Sequence, residues 1–300
     1  MTKKNSSHRM VVLQALFVTL LWASSWVIIK KGLADIPALT FAGLRYSLAA
    51  ICLLPFALRG GYLVDLRSAG RRTWFSLLVL GVLYYTVTQG GQFLSLSFLP
   101  AMTTSLILSF STILVAFLGM AFLRERPSFL QWGGVGLYLL ALGFYFHQVV
   151  ILPGQWPGLL AAGTAVLANS FSSILGRGVN RGKRFSPLVV TFVSMAIGGP
   201  LLLLMGLLVE GWPQLPLHGW LMVAWLAVVN SALAFSLWNH VLRTLGAFES
   251  SIISNTMLVQ IAILAWLFLG ERPDGWQLTG MALAVVATIL AQLQPLPAEG

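Results

Sequence analysis

The sequence predicts an all-α integral membrane protein with ten transmembrane helices arranged as two inverted five-helix repeats. Three observations predict this class: an apolar composition, a sequence echo between the two halves, and a one-sided distribution of basic residues. Of the 300 residues, 58% are hydrophobic and 9% are charged, whereas about 25% are charged in soluble domains. In lipid the apolar segments must be helical, because every backbone N–H and C=O has to be paired internally.

Ten apolar segments approach the roughly 20 residues that a helix needs to cross a bilayer. They cover about residues 10–29, 37–58, 74–94, 101–123, 129–147, 158–175, 187–208, 219–241, 248–269 and 276–293. The longest connections, 59–73 and 176–186, are too short to hold a soluble domain. The first segment follows basic residues, as in a signal peptide, but its length predicts a retained span.

The basic residues predict the orientation of the spans. With the N-terminus inside, 14 of the 18 Lys and Arg residues fall in inner segments and 3 fall in outer ones. Lys and Arg are enriched in cytoplasmic loops, so both termini are predicted to be cytoplasmic. The net charge of +10 is therefore interpreted as a topology signal and not as a nucleic-acid-binding surface.

The two halves of the chain share the motif Glu-Arg-Pro after a long apolar run. Its glutamates, Glu125 and Glu271, are 146 residues apart, which predicts one repeat over 1–147 and a second over 148–300. Five spans per repeat is an odd number, so the second repeat enters the membrane from the opposite side. Inverted repeats are typical of secondary transporters, whose sites lie near the bilayer midplane. The two glutamates themselves are interpreted as structural residues at helix ends.

Short stretches along the chain match the pattern of one family in their order. They are Trp22-Ala23-Ser24-Ser25-Trp26 in span one, Leu44-Arg45-Tyr46 in span two, Ser231-Ala232-Leu233-Ala234-Phe235 in span eight, and the Glu-Arg that ends spans four and nine. Over nearly its whole length the chain resembles the EamA-type transporters of the drug/metabolite transporter superfamily. The resemblance implies a central cavity lined by spans one, three, four, six, eight and nine, with spans five and ten packed away from it. The mid-span proline common in spans four and nine of that family is absent here.

Polar and aromatic side chains within the spans are the candidate substrate-binding residues, because such side chains usually face the bundle interior or a water-filled cavity. In span three, four of them follow the spacing i, i+3, i+4, i+7 and share one helix face. The alternatives are interhelical packing for the polar residues and a membrane-interface position for the aromatic ones. The full set is Trp22, Ser24, Tyr85, Thr88, Gln89, Gln92, Ser105, Ser109, Asn169, Asn230, Trp238 and Asn255.

Arg45 is the basic residue that lies deep within a span. It could bind an anionic group of a substrate. The interpretation we favour is that it pairs with carbonyls or extends outward to the interface. No Asp or Glu lies in the middle of a predicted span, so the sequence contains no obvious carboxylate for ion coupling.

These observations predict a secondary transporter of the bacterial cytoplasmic membrane that exports a small organic metabolite, such as an amino acid, or a drug. A neutral, aromatic-rich lining favours a zwitterionic or partly apolar solute over a phosphorylated one. One alternative is a membrane-embedded enzyme, which would need clustered His, Asp or Cys near one membrane face. Another is a channel, which would need an open polar pore. A non-transporting scaffold is a further alternative. We expect no catalytic residues, no cofactor and no metal. The expected partners are the solute and the lipid bilayer, and the protein is expected to be a monomer or a homodimer.

Overall fold

The computed structural model describes residues 2–59, 70–123, 128–181, 186–241, 245 and 247–292. Within these ranges the chain is helical, with short turns between the helices and no strand. We label the helices in chain order. They are α1 (Thr2–Gly32), α2 (Ala38–Arg59), α3 (Arg71–Phe98), α4 (Ala101–Ser109 and Ser111–Leu123), α5 (Phe129–Phe146), α6 (Trp156–Arg181), α7 (Pro187–Glu210), α8 (Leu217–Ala227, Val228–Leu233 and Ala234–Val241), α9 (Ala247–Leu269) and α10 (Gly275–Gln292).

In the described part of the chain, seven helices are long and apolar enough to cross a membrane, which confirms the predicted class of helical membrane protein. They include Arg9–Gly32, Ala38–Leu58, Arg71–Phe98, Phe129–Phe146, Pro153–Val179, Pro187–Glu210 and Leu217–Trp238. Three shorter apolar helices cover Ala101–Val115, Ile253–Leu269 and Gly275–Leu290. These three coincide with predicted spans four, nine and ten, so the count of ten stays a prediction.

Helices α3 and α8 each contain a π-helical segment that the sequence did not predict. The segments are Gly81–Thr88 in α3 and Val228–Leu233 in α8. In a π-helix the backbone bonds run from i to i+5, and such segments are frequent at functional sites. The hydroxyl of Thr88 donates to the carbonyl of Leu83, five residues earlier, at 2.9 Å. Because a π-turn holds more residues than an α-turn, the α-helical face predicted for span three is shifted.

Helix α4 is interrupted at Phe110, in mid-span. No proline lies there, and the hydroxyl of Ser109 donates to the carbonyl of Leu106 at 2.7 Å. Side-chain bonds of this kind often bend helices. Its predicted repeat counterpart α9 is continuous, although Thr256 makes the same type of bond to the carbonyl of Ile253 at 2.6 Å.

The closest helix pairs are α2 with α7 and α5 with α10. Glycine allows this approach: a Cβ on Gly280 of α10 would lie 2.7 Å from both the carbonyl oxygen of Ala141 and the backbone nitrogen of Tyr145 in α5. Small residues permit such close approach between membrane helices. By contrast, Gly133, Gly136 and Gly143 of α5 have no neighbour within 4 Å of an added Cβ.

The remaining helices bring the two halves of the chain together at the centre. Helix α1 packs on α8 and α9 of the second half, and α6 packs on α3 and α4 of the first half. Helix α2 also contacts α3 and α8. Polar side chains on these helices therefore lie between the halves, where the candidate site is formed.

Candidate substrate site

An aromatic group joins α1 to the second half of α8. The ring of Trp22 lies 5.5 Å from that of Phe235 and 5.3 Å from that of Trp238, in tilted arrangements. All three side chains are half-buried. Two of the predicted residues, Trp22 and Trp238, thus form one aromatic surface. Tilted ring pairs of this kind contribute about 0.5–1.5 kcal/mol beyond their burial.

Asn230, in the π-segment of α8, binds α1 through its amide nitrogen. The Nδ2 atom donates to the carbonyl oxygen of Leu21 and, at 3.2 Å, to the Oγ of Ser24. The Ser24 hydroxyl donates its own hydrogen to Leu21 at 2.7 Å, so it faces Asn230 as an acceptor. This fixes the amide orientation and leaves the Oδ1 of the fully buried Asn230 without a partner among the described residues. An enclosed acceptor of this kind costs about 1–3 kcal/mol.

Gln260 of α9 repeats this arrangement on α1. Its Nε2 donates to the Oγ1 of Thr19 at 3.1 Å and of Thr256 at 3.2 Å. Both threonine hydroxyls donate to carbonyls one turn earlier, those of Leu16 and Ile253, and therefore act as acceptors here. The Oε1 of Gln260 is left enclosed, with no hydrogen-bond partner in the part of the chain that the structure describes.

A tyrosine group covers the inner side of α3. Tyr85 is 3% exposed, and its ring lies 4.9 Å from that of Tyr84 and 5.4 Å from that of Tyr46 in α2. The Tyr46 hydroxyl donates to the Oε1 of Gln89 at 2.6 Å, which leaves the amide nitrogen of Gln89 as the remaining donor. The other predicted residues of this face, Thr88 and Gln92, are also buried.

Arg45 of α2 lies beside this group and is 4% exposed. Its guanidinium carbon is 4.9 Å from the ring centre of Tyr46 and 6.0 Å from that of Phe93. Its Nε donates to the Oγ of Ser231, in the π-segment of α8, at 3.1 Å. The favoured interpretation of Arg45 was wrong: the side chain is buried between α2, α3 and α8, does not extend outward, and bonds a hydroxyl instead of carbonyls.

The predicted residues of α4 and α6 make packing contacts. Ser109 lies 2.5 Å from the hydroxyl of Tyr138 in α5, so it faces α5. The buried Ser105 donates to the carbonyl of Met102 at 2.9 Å. Asn169 of α6 donates to the Oγ of Ser111 in α4 at 2.9 Å. Asn255, the predicted repeat counterpart of Ser109, is half-buried on α9.

Two charged residues hold the turn between α3 and α4. The Nζ of Lys30 donates to the carbonyls of Leu96 and Leu99, at 2.6 and 2.8 Å. The carboxylate of Glu271 accepts from the backbone nitrogens of Ala101 and Met102, at 2.6 and 2.9 Å. Carboxylates stabilise helix N-termini in this way, and Glu271 is thus a structural residue, as interpreted. Its echo Glu125 lies outside the described residues.

Two apolar grooves lie away from the predicted lining. One, of about 290 Å³, is formed by Ile107, Phe110, Leu142, Phe146, Ile151 and Leu159. The other, of about 270 Å³, is formed by Leu139, Leu140, Gly143, Phe144, His147 and Trp276. None of the twelve predicted residues lines either groove, and both grooves involve α5.

The sequence interpretation missed several residues of the polar groups. Gln260, Thr19 and Ser111 are polar residues within apolar spans, so the criterion that selected Asn230 could have selected them as well. Ser231 and Tyr46 also lie within predicted spans, but nothing in the sequence indicated their contacts with Arg45.

A bundle of apolar helices with amide, hydroxyl and guanidinium groups buried between its two halves defines a polytopic membrane protein with an internal polar site. The model of the EamA-like transporter family matches residues 9–146 and 156–293. The chain therefore belongs to the EamA-like transporter family, as the resemblance predicted.

Relatives from three bacteria carry transporter names. The chain is 24% identical over 275 residues to the S-adenosylmethionine/S-adenosylhomocysteine transporter of Chlamydia trachomatis serovar L2, covering 85% of this chain and 81% of that protein. It is 27% identical over 286 residues to the probable amino-acid metabolite efflux pump of Salmonella typhimurium, covering 90% of each. It is 27% identical over 280 residues to the uncharacterized transporter YvbV of Bacillus subtilis, covering 91% of this chain and 88% of that one.

A solved crystal structure shares the fold. It superimposes with a TM-score of 0.65 and 19% sequence identity, and covers 94% of this chain and 97% of that chain. Together, the family and these relatives support a multi-pass membrane protein of the transporter class.

Proposed function

We propose that this chain is a secondary transporter that exports a small organic metabolite, such as an amino acid, or a drug, across the bacterial cytoplasmic membrane by alternating access. In this proposal ten transmembrane helices form two inverted repeats, 1–147 and 148–300, with both termini in the cytoplasm. The halves rock about a mid-membrane site and open it to each side in turn. The relatives named as a metabolite transporter and an efflux pump support the substrate class and the export direction.

The helix packing supports the inverted repeat. In a five-helix repeat, each helix of the first half corresponds to the helix five places later in the chain. The contact of α1 with α9 then corresponds to that of α6 with α4, and the contact of α1 with α8 to that of α6 with α3. All four contacts are present. The contacts of α2 with α8 and of α7 with α3 correspond in the same way. The π-segments of α3 and α8 also occupy corresponding places. A two-fold relation between the halves accounts for all of these pairs.

The unpartnered oxygen of Asn230 is the observation that carries the proposal. A fully buried amide in an apolar bundle is costly, and this one uses both amide hydrogens to bind α1 while its Oδ1 has no donor among the described residues. A purely structural contact would have no need of the second polar atom. A transporter has a use for this atom, because the Oδ1 can accept a hydrogen bond in another state of the cycle or from a bound solute.

Flux through proteoliposomes tests the function. Purified protein is reconstituted, and uptake is measured for a panel of radiolabelled amino acids, amines and neutral drugs. We expect at least one solute to cross faster than in protein-free vesicles, and the rate to saturate with its concentration. Equal rates with and without protein for the whole panel would contradict the transporter proposal.

Cysteine labelling tests the topology. An added Cβ at Gly70 or at Gly154 meets no atom within 4 Å, so a cysteine fits at either place in a background with Cys52 replaced by alanine. Gly70 precedes α3 and is predicted to be cytoplasmic; Gly154 lies between α5 and α6 and is predicted to be external. In intact cells an impermeant maleimide should label Gly154→Cys only. Labelling of Gly70→Cys alone would show that the orientation is the reverse of the predicted one. Labelling of both variants, or of neither, would refute the five-span repeat.

A further inference from the structure

We propose that Arg45 binds a carboxylate group of the transported solute. This inference rests on the proposed transport function and names the chemical group that the site recognises. It also adds α2 to the site, since the resemblance implies a cavity lined by other spans.

Arg45 has no acidic partner in the described part of the chain. The carboxylates whose side chains the structure describes have other contacts: Asp35 with His218, Glu210 with Leu39 and Thr40, Glu271 with Ala101 and Met102, and Asp274 with Gln277. The one hydrogen bond from Arg45 to a described residue goes to the neutral hydroxyl of Ser231. The arginine is therefore a buried cation whose charge is not balanced by a described side chain.

The contacts that Arg45 makes are all with neutral groups, and none supplies an opposite charge. Removing a charged group from water costs several kcal/mol even after relaxation of the surroundings. A hydrogen bond from a charged donor returns about 1.5–3 kcal/mol, and a cation–π contact returns about 0.5–2 kcal/mol. The rings of Tyr46 and Phe93, with Ser231, supply contacts of these two kinds. A bound anion supplies the interaction that is missing.

The free atoms of the guanidinium group suit a carboxylate. Its Nε is occupied by Ser231, whereas Nη1 and Nη2 make no hydrogen bond to the described residues. The enclosed unpartnered atoms among the described residues are the Oγ of Ser47, the Oδ1 of Asn230 and the Oε1 of Gln260. The two Nη atoms of Arg45 are not among these fully enclosed atoms. Two parallel N–H donors match the two oxygens of a carboxylate.

The charge favours a carboxylate over a phosphate ester. A phosphate monoester carries about −1.5 to −2 at neutral pH, which one guanidinium does not balance, and Arg45 is the basic residue deep within the predicted spans. The surroundings of Arg45 are the rings of Tyr46 and Phe93, with the ring of Tyr85 in edge-on contact with Tyr46. These rings suit an organic acid with an apolar body.

A binding comparison between amino acids and their carboxamides tests the inference. Each pair differs in the carboxylate alone, and binding to purified protein in detergent is followed by the shift in the thermal unfolding temperature. For wild-type protein we expect at least one amino acid to bind about 10- to 100-fold more tightly than its amide, the range that a hydrogen bond between charged groups provides. Arg45→Gln should bring this ratio close to one, Arg45→Lys should retain part of it, and Arg72→Gln, at the exposed start of α3, should leave it unchanged.

The ratio separates a binding role from a structural one, because a change in the folded fraction affects acid and amide alike. The wild-type comparison also needs no variant to fold. Equal binding of acid and amide by wild-type protein, a ratio kept by Arg45→Gln, or no binding of any acid would each overturn the carboxylate site. If amines or neutral drugs are transported but no acid binds, the carboxylate site is overturned and the transporter proposal stands. If no solute is transported, the transporter proposal is overturned.

Discussion

The Nδ2 of Asn230 and the Oγ of Ser24 lie 3.2 Å apart and join the π-segment of α8 to α1. The same nitrogen also donates to the carbonyl of Leu21, while the Oδ1 of Asn230 has no partner among the described residues. This side chain therefore combines an interhelical contact with an enclosed acceptor, and the two have opposite effects on stability.

Replacing Asn230 by leucine should abolish function without destabilising the protein. Interhelical hydrogen bonds in membranes average about 0.6 kcal/mol, whereas an enclosed acceptor costs about 1–3 kcal/mol, so Asn230→Leu should leave the thermal unfolding temperature unchanged or higher. Transport should fall at least tenfold. Ser25→Ala is the control, because the Ser25 hydroxyl donates to the carbonyl of Trp22 within α1, and its transport should change less than twofold. Wild-type transport by Asn230→Leu would show that its free oxygen has no role.

Asn255→Leu and Tyr85→Phe should each lower transport at unchanged membrane abundance, because both residues are predicted to contact the solute. Tyr138→Phe is the matched control: its hydroxyl contacts Leu106 and Ser109 within the α4–α5 packing, so it should lower stability and keep transport per molecule. The measurement is initial uptake normalised to protein quantified in the membrane. Unchanged kinetics in both test variants would remove Asn255 and Tyr85 from the predicted lining.

Gly280→Val should prevent the close packing of α5 and α10. The added Cβ would lie 2.7 Å from backbone atoms of Ala141 and Tyr145, and backbone has little room to move. Membrane abundance should drop severalfold. Gly136→Val on α5 is the control, since no atom lies within 4 Å of its Cβ. Fluorescence size-exclusion profiles would compare the two, and equal profiles would contradict the α5–α10 packing described above.

Glu271→Ala and Glu210→Ala should each lower thermal stability with little effect on solute preference. Each carboxylate accepts backbone N–H groups at a helix N-terminus: Glu271 at Ala101 and Met102, Glu210 at Leu39 and Thr40. Loss of such a cap costs about 0.5–2 kcal/mol. The Gln variants should lose less, because one oxygen remains as an acceptor. A changed ranking of solutes in the Glu271 variants would instead place this residue in the site.

The sequence was sufficient to predict the helical structure and the membrane class, because composition and apolar run length determine them; the residues of the site stay a prediction. It did not predict which neighbour each polar residue faces. The π-segments at Gly81–Thr88 and Val228–Leu233 shift the faces of α3 and α8, and no residue pattern indicated them. The register of the repeat pointed to Ser109, yet this residue contacts Tyr138 of α5, just before the interruption of α4 at Phe110.

Arg45 shows why single-residue interpretation fails within a bundle. A lone arginine in a span is expected to extend to the interface because burial is costly. Here Ser231, which is 186 residues away in sequence, and the rings of Tyr46 and Phe93 surround it. These contacts depend on the packing of α2 against α3 and α8, which local sequence does not encode.

The turn around Pro100 has a consequence for how the molecule can move. Lys30, at the end of α1, donates to backbone carbonyls that precede Pro100. Glu271, after α9, accepts from the backbone N–H groups that follow Pro100. The ends of four helices, α1, α3, α4 and α9, are thus tied at one membrane face by bonds to charged groups, each contributing about 1.5–3 kcal/mol. In the predicted orientation this is the outer face. Separating these helix ends would require the hydrogen bonds of Lys30 and Glu271 to be exchanged for others or for water.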